Sequence, residues 1–404
     1  MTAPARRPRA LRPTTATARL LLQCVAEHDW AVAPEGVAEL AARAGPERVT
    51  AAADFHGVSG CVHHTLAPVV APGRFADLAA AHRGGIDRHL RALGDLARLA
   101  PALDALGVPW LVVKGPVLAE LHYPRPDLRT YNDLDVVVPA GAMGDAVAAV
   151  EAQGGTLLDR NWPLLRELEV GEVLLRLPHG TLLDLHWHLF NVSAVRRTMR
   201  PPMAELLERA RPVRLAGTAV HTLDALDTLV HLGAHGTLSG GHRLVWLKDL
   251  ERVLAGDRPP WDDLVDRARA WGVGPAAALA LSRARRVLGV AVPGGVPEAM
   301  AGGRAFLAAG AGADLLAPPA RSNGNRSIGL LVSRSARADT ASTAAELRRR
   351  LSAAAIPRGR PSLTPPANDM DPASPRSPRH DSGSEADRQA FFRAIVEDEQ
   401  RRSR

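Results

Sequence analysis

The sequence predicts an α+β fold in which a small mixed sheet lies between an N-terminal and a C-terminal helical region. Before residue 109 and after residue 192, apolar residues recur at spacings of three and four, which is typical of helices that bury one face. Between those points the apolar runs are short, rich in Val and Leu, and bounded by turn residues, which is typical of strands. The 404 residues, 46% of them hydrophobic, are enough for more than one core.

The N-terminal helical region covers residues 17–108. Its longest apolar pattern runs from Phe75 to Leu106, and the pair Gly84-Gly85 predicts a break or a bend within it. Three shorter helices are predicted before it, over TARLLLQCVAEH, GVAELAARAG and ERVTAAADFHGVSGCVHHTL. Residues 1–16 form a basic arm that we expect to be disordered.

The central segment, residues 109–192, contains four strand-like runs: PWLVV, LDVVV, EVLLRL and TLLDLHWHL. Helices are predicted after the first and second runs, over PVLAELHY and AGAMGDAVAAVEAQG, and Gly154-Gly155 ends the second helix. The sequence LPHG between the last two runs predicts a hairpin turn. The order of these elements indicates one small sheet with helices beside it.

The C-terminal helical region covers residues 193–316. Its predicted helices are separated by Gly and Pro and have the sequences PPMAELLERA, DALDTLVHLGAHG, HRLVWLKDLERVLA, PPWDDLVDRARAWG and PAAALALSRARRVLG. Residues 317–404 are rich in Ser, Pro, Arg and Asn and predict a mostly disordered tail. Within that tail, EADRQAFFRAIVEDEQRR predicts one short helix.

The net charge of +7 is concentrated at the two ends of the chain. Residues 1–20 carry five arginines and no acid, residues 321–404 carry 16 basic and 10 acidic residues, and the part between them has a small excess of acids. This distribution argues against a large basic groove, so nucleic acid is not expected as a partner. No apolar run approaches the roughly 18 residues of a membrane span and no secretory signal is evident, so a cytoplasmic protein without membrane contact is predicted.

Two aspartates open the second strand-like run, in the sequence NDLDVVV. Side chains alternate along a strand, so Asp133 and Asp135 point to the same face. Two such carboxylates repel each other and are costly to desolvate unless a cation lies between them. Mg²⁺ suits this need because it prefers oxygen ligands and keeps positions open for substrate phosphates, and Mn²⁺ is an alternative.

A third acid, Asp184, lies in the fourth run and shares its face with His186 and His188. If this strand pairs beside the strand of residues 133–138, three carboxylates converge on one or two metal ions. The two imidazoles leave open a zinc-type site with Asp184, although zinc usually needs further nitrogen or sulfur ligands. His231 and His235 also have zinc-like spacing on a predicted helix, but they lack the HExxH pattern and predict helix-face histidines.

Lys114, one of only two lysines in the chain, ends the first run together with Gly115. Pro116 is suited to the first position of a helix. A helix N-terminus, a glycine that permits close approach and a nearby ammonium together predict a phosphate seat for a nucleoside triphosphate. The alternative is that Lys114 is a strand-end residue whose ammonium lies in solvent.

Three segments of the sequence resemble the uncharacterised bacterial nucleotidyltransferase family, a distant branch of the polymerase-beta-like nucleotidyltransferases. They are VVKGPVLAELHYPRPDLRTYNDLDVVV, LLDLHWHL and HLGAHGTLSGGHRLVWLKDLERVL. In that family a lysine-glycine turn, an arginine with an aspartate-x-aspartate segment, and a DLHW strand recur in this order. The resemblance covers roughly residues 20–290, and it makes residues 109–192 the nucleotidyltransferase catalytic core.

The resemblance implies Mg²⁺ bound by catalytic acids at Asp133, Asp135 and Asp184. It implies nucleotide contacts from Lys114, Gly115, Arg129 and His186. Arg129 would donate two parallel hydrogen bonds to phosphate, and the alternative is that it pairs with Asp127 or Asp133. His186 would hold an acid or touch substrate.

The sequence departs from the superfamily at two points. The usual turn is glycine-serine, whereas this chain has Val113-Lys114-Gly115-Pro116, so the phosphate contact must come from backbone N–H groups and lysine. Asn132 stands where many members carry glycine. Neither departure removes a predicted metal ligand.

The predicted function is therefore that of an Mg²⁺-dependent nucleotidyltransferase. It would move a nucleoside monophosphate from a nucleoside triphosphate to a hydroxyl of an unidentified small molecule or protein. One alternative is a catalytically inactive nucleotide-binding or partner-binding module on the same fold. Another is a DNA-binding regulator that uses the Arg-rich ends.

Overall fold

The computed structural model describes residues 15–26, 36–256, 258–301, 343–349, 379, 381 and 383–402. The arm predicted for residues 1–16 and the tail predicted for residues 317–404 lie mostly outside these described residues. Over the described part, the predicted α+β fold with a mixed sheet flanked by helices is confirmed. None of the helices in this part is long and apolar enough to cross a membrane.

The N-terminal region contains five helices: α1 Ala16–Val25, α2 Val37–Ala44, α3 Pro46–His56, α4 Ser59–Leu66 and α5 Ala76–Asp104. The single helix predicted over residues 47–66 is two helices, because Gly57 adopts a left-handed conformation (φ +67°) that ends α3. Gly84-Gly85 does not interrupt α5, which is continuous over 29 residues. The glycines cost about 1 kcal/mol each relative to alanine, and the buried face of α5 outweighs that cost.

The central sheet contains five strands: β1 Leu111–Val113, β2 Asp133–Val137, β3 Thr156–Leu157, β4 Glu172–Arg176 and β5 Leu182–His186. Their spatial order is β1-β2-β5-β4-β3. Strands β2 and β5 are parallel, and the other neighbouring pairs are antiparallel. The four predicted runs supply four of these strands, while β3 has only two residues and leaves no sequence pattern.

Helices connect the strands: α6 Gly115–Leu121 follows β1, α7 Met143–Ala152 follows β2 and α8 Trp162–Glu167 follows β3. The connection between β4 and β5 is the predicted hairpin. The backbone N–H of Leu177 donates to the carbonyl of Thr181 at 2.8 Å, and Gly180 supplies the positive φ of +89° that the turn requires.

The two faces of the sheet differ chemically because side chains alternate along each strand. On one face Leu134, Val136, Leu183 and Leu185 are fully buried in one core with residues of α5 and α7. Burying each such side chain stabilises the fold by roughly 1.5–3 kcal/mol. The opposite face of β2 and β5 carries Asp135 and the other polar residues described below.

The C-terminal region contains the helices α9 Ser193–Arg196, α10 Met203–Glu208, α11 Ala225–Leu238, α12 Leu244–Gly256, α13 Trp261–Ala270, α14 Gly274–Val287 and α15 Gly295–Ala301. It also contains a hairpin of β6 Arg211–Leu215 and β7 Thr218–Thr222, which the sequence did not predict. Leu215 and Val220 of this hairpin are buried in the core beneath the central sheet, and Val213 packs against that core while partly buried. Its remaining residues are mostly polar, so its apolar alternation is weak.

The helix predicted near the end of the chain is confirmed as Glu385–Arg402. It packs on α8: Phe391 and Ile395 are buried in the core beneath the sheet, and the ring of Phe391 lies 5.4 Å from that of Trp162. Arg388 also donates to Glu151 at 2.8 Å. This helix is therefore part of the folded domain.

We predict that Phe391→Ala lowers the free energy of unfolding by about 3–5 kcal/mol, because it leaves a cavity under α8. Urea unfolding followed by circular dichroism measures this loss. Phe392→Ala is the matched control: this neighbouring ring is only partly buried and should cost clearly less. Equal losses from both substitutions would contradict the packing described here.

Candidate active site

Asp135 and Asp184 meet because β2 and β5 are parallel neighbours, which meets the condition under which the sequence predicts that acids from the two strands converge. Asp135 lies directly opposite Asp184, and Val137 lies opposite His186. His186 follows Asp184 by two residues and shares its face. One ligand atom from each of Asp135, Asp184 and His186 lies within 4.8 Å of the other two. Two carboxylates and one imidazole therefore converge at the centre of the sheet.

Asp133 lies at the beginning of β2, on the same face but outside this close group. Its register partner on β5 is Leu182, so Asp184 is two residues further along the strand. The sequence predicted three carboxylates as the nearest ligands. Within the described residues, the group of close ligand atoms comes from Asp135, Asp184 and His186, so it contains His186 and not Asp133.

Lys114 directs its ammonium into this group. The residue has φ 53° and ψ −127°, a conformation that is strained for a residue with a side chain. Its Nζ lies 2.5 Å from Oδ1 of Asp135. A Cβ on Gly115 would lie 3.2 Å from the carbonyl oxygen of Asp133, so the turn also requires close backbone approach. The ammonium of Lys114 thus neutralises an acid and does not extend into solvent.

The three acids have different affinities for protons. Burial, followed by the charges of Glu172, Asp133 and Asp135, raises the pKa of Asp184 well above its usual range. Burial and the charge of Asp135 raise the pKa of Asp133 to about 6. Burial also acts to raise the pKa of Asp135, but Lys114 and His186 outweigh it, and that pKa lies below its usual range. Asp135 therefore keeps its negative charge most strongly, and Asp184 holds a proton most strongly.

Glu172 is a fourth acid of the site, and it was missed at the sequence level. It lies opposite His186 across the β4–β5 hairpin. The Nδ1 atom of His186 lies 3.2 Å from Glu172 Oε2, and its Nε2 atom lies 3.1 Å from Asp135 Oδ1. Asn191 donates to Glu172 at 2.5 Å. Counting residue pairs back from the LPHG turn would have placed Glu172 beside His186.

Arg129 binds an acid that the sequence did not suggest. Its Nε and Nη2 atoms donate to the two oxygens of Asp249 at 2.8 and 3.0 Å, and its Nη1 donates to the carbonyl of Gly115 at 3.1 Å. The hydroxyl of Tyr123 also donates to Asp249, at 2.8 Å. Asp127, one of the two predicted partners, pairs instead with Arg125 at 2.8 Å. Arg129 therefore joins the Lys114-Gly115 turn to helix α12.

His188, His231 and His235, which the sequence presents as candidate metal ligands, are not among the close ligand atoms within the described residues. His188 accepts a hydrogen bond from the backbone N–H of Phe190 at 3.0 Å, and burial lowers its pKa well below the usual range. His231 and His235 lie on α11 with ring centroids 6.1 Å apart. Burial and the charge of Lys114 lower the pKa of both, to about 3 for His235. These imidazoles are neutral at physiological pH.

The donor set fits a divalent cation. Two carboxylates suit Mg²⁺, and the imidazole of His186 also suits Mn²⁺. The high proton affinity of Asp184 fits as well, because a cation stabilises the charged form that burial and three neighbouring acids oppose. The predicted pairing of acids from β2 and β5 around a cation is thus chemically possible.

Residues 42–289, more than half of the chain, match the protein family described as "Uncharacterised nucleotidyltransferase". The chain belongs to this family. It is accordingly a nucleotidyltransferase, as the sequence predicted. No curated protein was found to be similar to the chain in sequence.

Two solved structures match part of this nucleotidyltransferase. The solution structure of the antibiotic-resistance factor ANT(2'')-Ia has 15% identity and a TM-score of 0.31, and the match covers 44% of this chain and 89% of that one. The crystal structure of an antigenic nucleotidyltransferase-like protein from Paracoccidioides brasiliensis has 15% identity and a TM-score of 0.32, covering 51% and 95%. These similarities are too distant to indicate a substrate.

We predict that Asp249→Ala lowers the stability of this nucleotidyltransferase by about 3–5 kcal/mol, because it leaves the Arg129 guanidinium buried without its carboxylate. Thermal and urea unfolding measure the loss. In the double variant Arg129→Met with Asp249→Leu, no unpaired charge remains, so the loss should be smaller than in Asp249→Ala. A larger loss in the double variant would contradict the assignment of this ion pair.

The raised pKa of Asp133 predicts a pH-dependent stability. The folded state binds more protons than the unfolded state between about pH 4 and the folded pKa of about 6, so stability falls as the pH rises through this window. Asp133→Asn should equal the wild type at pH 4 and be about 1–3 kcal/mol more stable at pH 7.5 in EDTA. Urea unfolding at both pH values measures this difference.

Asp87→Asn is the control for that measurement, since Asp87 is an exposed acid whose ion-pair partner in the described part of the chain is Arg91 on the same helix. Its difference from the wild type should hardly change with pH. A stability advantage of Asp133→Asn that shrinks as the pH rises would contradict the prediction.

Proposed function

We propose that this nucleotidyltransferase moves a nucleoside monophosphate from a nucleoside triphosphate to a hydroxyl of a small molecule or a protein. The observation that carries the proposal is the meeting of Asp135 and Asp184, from parallel neighbouring strands, beside Lys114. Such a group concentrates negative charge at one point with a positive charge beside it, as binding of a metal–triphosphate requires. We further propose that the reaction occurs in the cytoplasm.

Mg²⁺, or Mn²⁺ in its place, would be held by Asp135 and Asp184, with Asp133 contributing from the beginning of β2. The ion would supply charge neutralisation at the phosphates and orientation of the reacting oxygens. His186 holds Asp135 through Nε2 and is itself held near Glu172 through Nδ1. This pair of contacts fixes the direction of the Asp135 carboxylate.

In the proposed reaction the acceptor oxygen forms a bond to the α-phosphorus, and the bond from that phosphorus to the bridging oxygen of pyrophosphate breaks. The hydroxyl proton passes to a carboxylate. We propose Asp184 for this role because it lies directly opposite Asp135 on the same face of the sheet, and because a cation at the site would keep its carboxylate ionised and able to accept the proton. No covalent enzyme intermediate is needed, since positioning and electrostatic stabilisation suffice.

Lys114 and Gly115 are proposed to contact the triphosphate from the turn after β1. The ammonium lies on Asp135 at 2.5 Å, and a cation at that carboxylate would release it toward a phosphate oxygen. Arg129 is proposed to act on this turn from behind, because its guanidinium donates to the Gly115 carbonyl. The sequence predicted a direct contact between Arg129 and phosphate. Because the guanidinium pairs with Asp249, we propose this indirect role for Arg129 instead.

A second candidate is a catalytically inactive nucleotide-binding module on the same fold. The ion pair of Lys114 with Asp135 favours it, because an ammonium can neutralise a buried acid without a metal. The two candidates differ in turnover: the module would bind a nucleoside triphosphate without releasing pyrophosphate.

We predict that the wild type releases pyrophosphate from at least one of the four common nucleoside triphosphates when Mg²⁺ or Mn²⁺ and an acceptor are present. Asp135→Asn and Asp184→Asn should each lower the rate at least about 10²-fold, because each removes a charge on which catalysis depends. A coupled pyrophosphate assay with candidate hydroxyl acceptors measures the rates.

Asp145→Asn, at an exposed acid in the first turn of α7, is the control and should retain the wild-type rate. Equal background rates in the wild type and both site variants, together with calorimetric binding of the triphosphate, would reject catalysis in favour of the inactive module.

A further inference from the structure

Arg243 lies immediately before helix α12, with its guanidinium between two aromatic rings. Its Cζ atom is 5.6 Å from the centre of the Phe55 ring and 5.8 Å from the centre of the Trp246 ring. Phe55 comes from α3 in the N-terminal region, and Trp246 comes from α12. Contacts on two sides restrict the plane of the guanidinium.

Among the residues that the structure describes, Arg243 has no carboxylate or carbonyl hydrogen-bond partner, in contrast to three other arginines of the fold. Arg129, Arg196 and Arg209 each donate to a carboxylate or a carbonyl. The Nε atom of Arg243 is buried and has no hydrogen-bond acceptor within the described part. A partly desolvated guanidinium without an acceptor is costly to keep, which indicates that a ligand supplies the acceptor.

Arg243 is connected to the surroundings of the acidic group by a series of ring contacts. Its stacking partner Trp246 lies 6.2 Å, ring to ring, from His235, which in turn lies 6.1 Å from His231. Burial lowers the pKa of Arg243, and the negative charges of Asp54 and Asp133 oppose this change. The guanidinium of Arg243 therefore interacts electrostatically with Asp133, an acid of the site.

The chain before Arg243 is held in place. Gly240 and Gly241 have φ values of +111° and +62°, and Arg283 donates to the carbonyl of Gly240 at 3.2 Å. A Cβ on Gly241 would lie 2.0 Å from an Nη atom of Arg283, so that side chain would have to move, and the left-handed φ of Gly241 itself favours glycine. The loop thus presents Arg243 from a fixed backbone.

We propose that Arg243 binds the pyrophosphate part of the nucleoside triphosphate, that is, the β- and γ-phosphates. The proposal rests on the proposed function and names the residue that would hold the leaving group. The ammonium of Lys114 pairs with Asp135, and the guanidinium of Arg129 pairs with Asp249. The buried Nε–H of Arg243 has no hydrogen-bond acceptor among the described residues. The planar guanidinium of an arginine can donate two parallel hydrogen bonds to two oxygens of a phosphate group.

The same donors could instead bind an anionic group of the acceptor, and the rings could stack on a nucleobase. These readings differ in what inorganic pyrophosphate does. Pyrophosphate has neither base nor acceptor, so its binding reports on the phosphate site alone.

Isothermal titration calorimetry of the full chain with pyrophosphate and Mg²⁺ tests the proposal, with adenosine monophosphate as the second ligand. Arg243→Gln should raise the Kd for pyrophosphate at least about 10-fold, equal to about 1.4 kcal/mol, and leave the Kd for the monophosphate within about twofold. Arg243→Lys should recover part of the affinity, because it restores the charge without the planar fork.

Arg258→Gln is the matched control, because Arg258 stacks on Trp261 at 5.9 Å in the same way at the beginning of α13. Its pyrophosphate Kd should equal that of the wild type. Circular dichroism and thermal unfolding of Arg243→Gln verify folding, which should be preserved because no hydrogen-bonded partner is lost.

An unchanged pyrophosphate Kd in Arg243→Gln overturns the proposal, as does an absence of pyrophosphate binding to the wild type. An equal loss for the monophosphate overturns it in favour of base stacking. The two proposals can fail independently. If Arg243→Gln transfers the nucleotide with a normal KM, the proposed function stands and the phosphate role of Arg243 is rejected. If pyrophosphate binding depends on Arg243 but no transfer occurs, the phosphate role stands and the proposed function is rejected.

Discussion

The parallel pairing of β2 with β5 is the constraint on which the rest of the site depends. Because the register places Asp135 directly opposite Asp184, two carboxylates share one face of the sheet. A shift of one residue on either strand would send its acid into the apolar core and bring leucines or valines to the site. The buried leucines on the other face therefore fix the position of the acids as firmly as any polar contact.

The polar contacts around the two carboxylates offset the free-energy cost of burying them together. Lys114 adopts a strained backbone conformation that places its ammonium on Asp135, and His186 lies between Asp135 and Glu172. These contacts lower the pKa of one acid, while burial and mutual repulsion raise the pKa of Asp133 and Asp184. The three acids therefore differ in proton affinity: the pKa of Asp135 is lowered and the pKa values of Asp133 and Asp184 are raised, a difference that suits metal binding and proton transfer.

Helix α12 contacts two of the arginines that take part in the proposed phosphate site. Asp249 holds Arg129, and through it the Lys114-Gly115 turn, while Trp246 of the same helix stacks on Arg243. The phosphate-binding elements proposed here therefore depend on a helix more than one hundred residues distant in sequence from that turn. A change in the packing of α12 would alter both at once, which makes the C-terminal region a part of the site and not merely a cover for it.

Much of the secondary structure of this protein, and the position of its acids, is determined by local sequence patterns. The α+β class, four of the five sheet strands, the LPHG hairpin, the closing helix and the three acids on one face all follow from periodicities of two and 3.6 and from turn residues. The order of the lysine-glycine turn, the aspartates and the DLHW strand was enough to indicate the family, which residues 42–289 confirm.

Tertiary structure decided what local patterns cannot encode. The pairing of Arg129 with Asp249, the unpaired donors of Arg243 and the polar β6–β7 hairpin depend on which distant segments pack together. The exchange of Asp133 for His186 among the close ligands depends on the register between two strands. The type and spacing of a side chain show which face of an element it occupies. Its partner depends on the packing of elements that are far apart in sequence. Because an unpaired buried charge is costly, each buried charge pairs with an acceptor that this packing brings close to it.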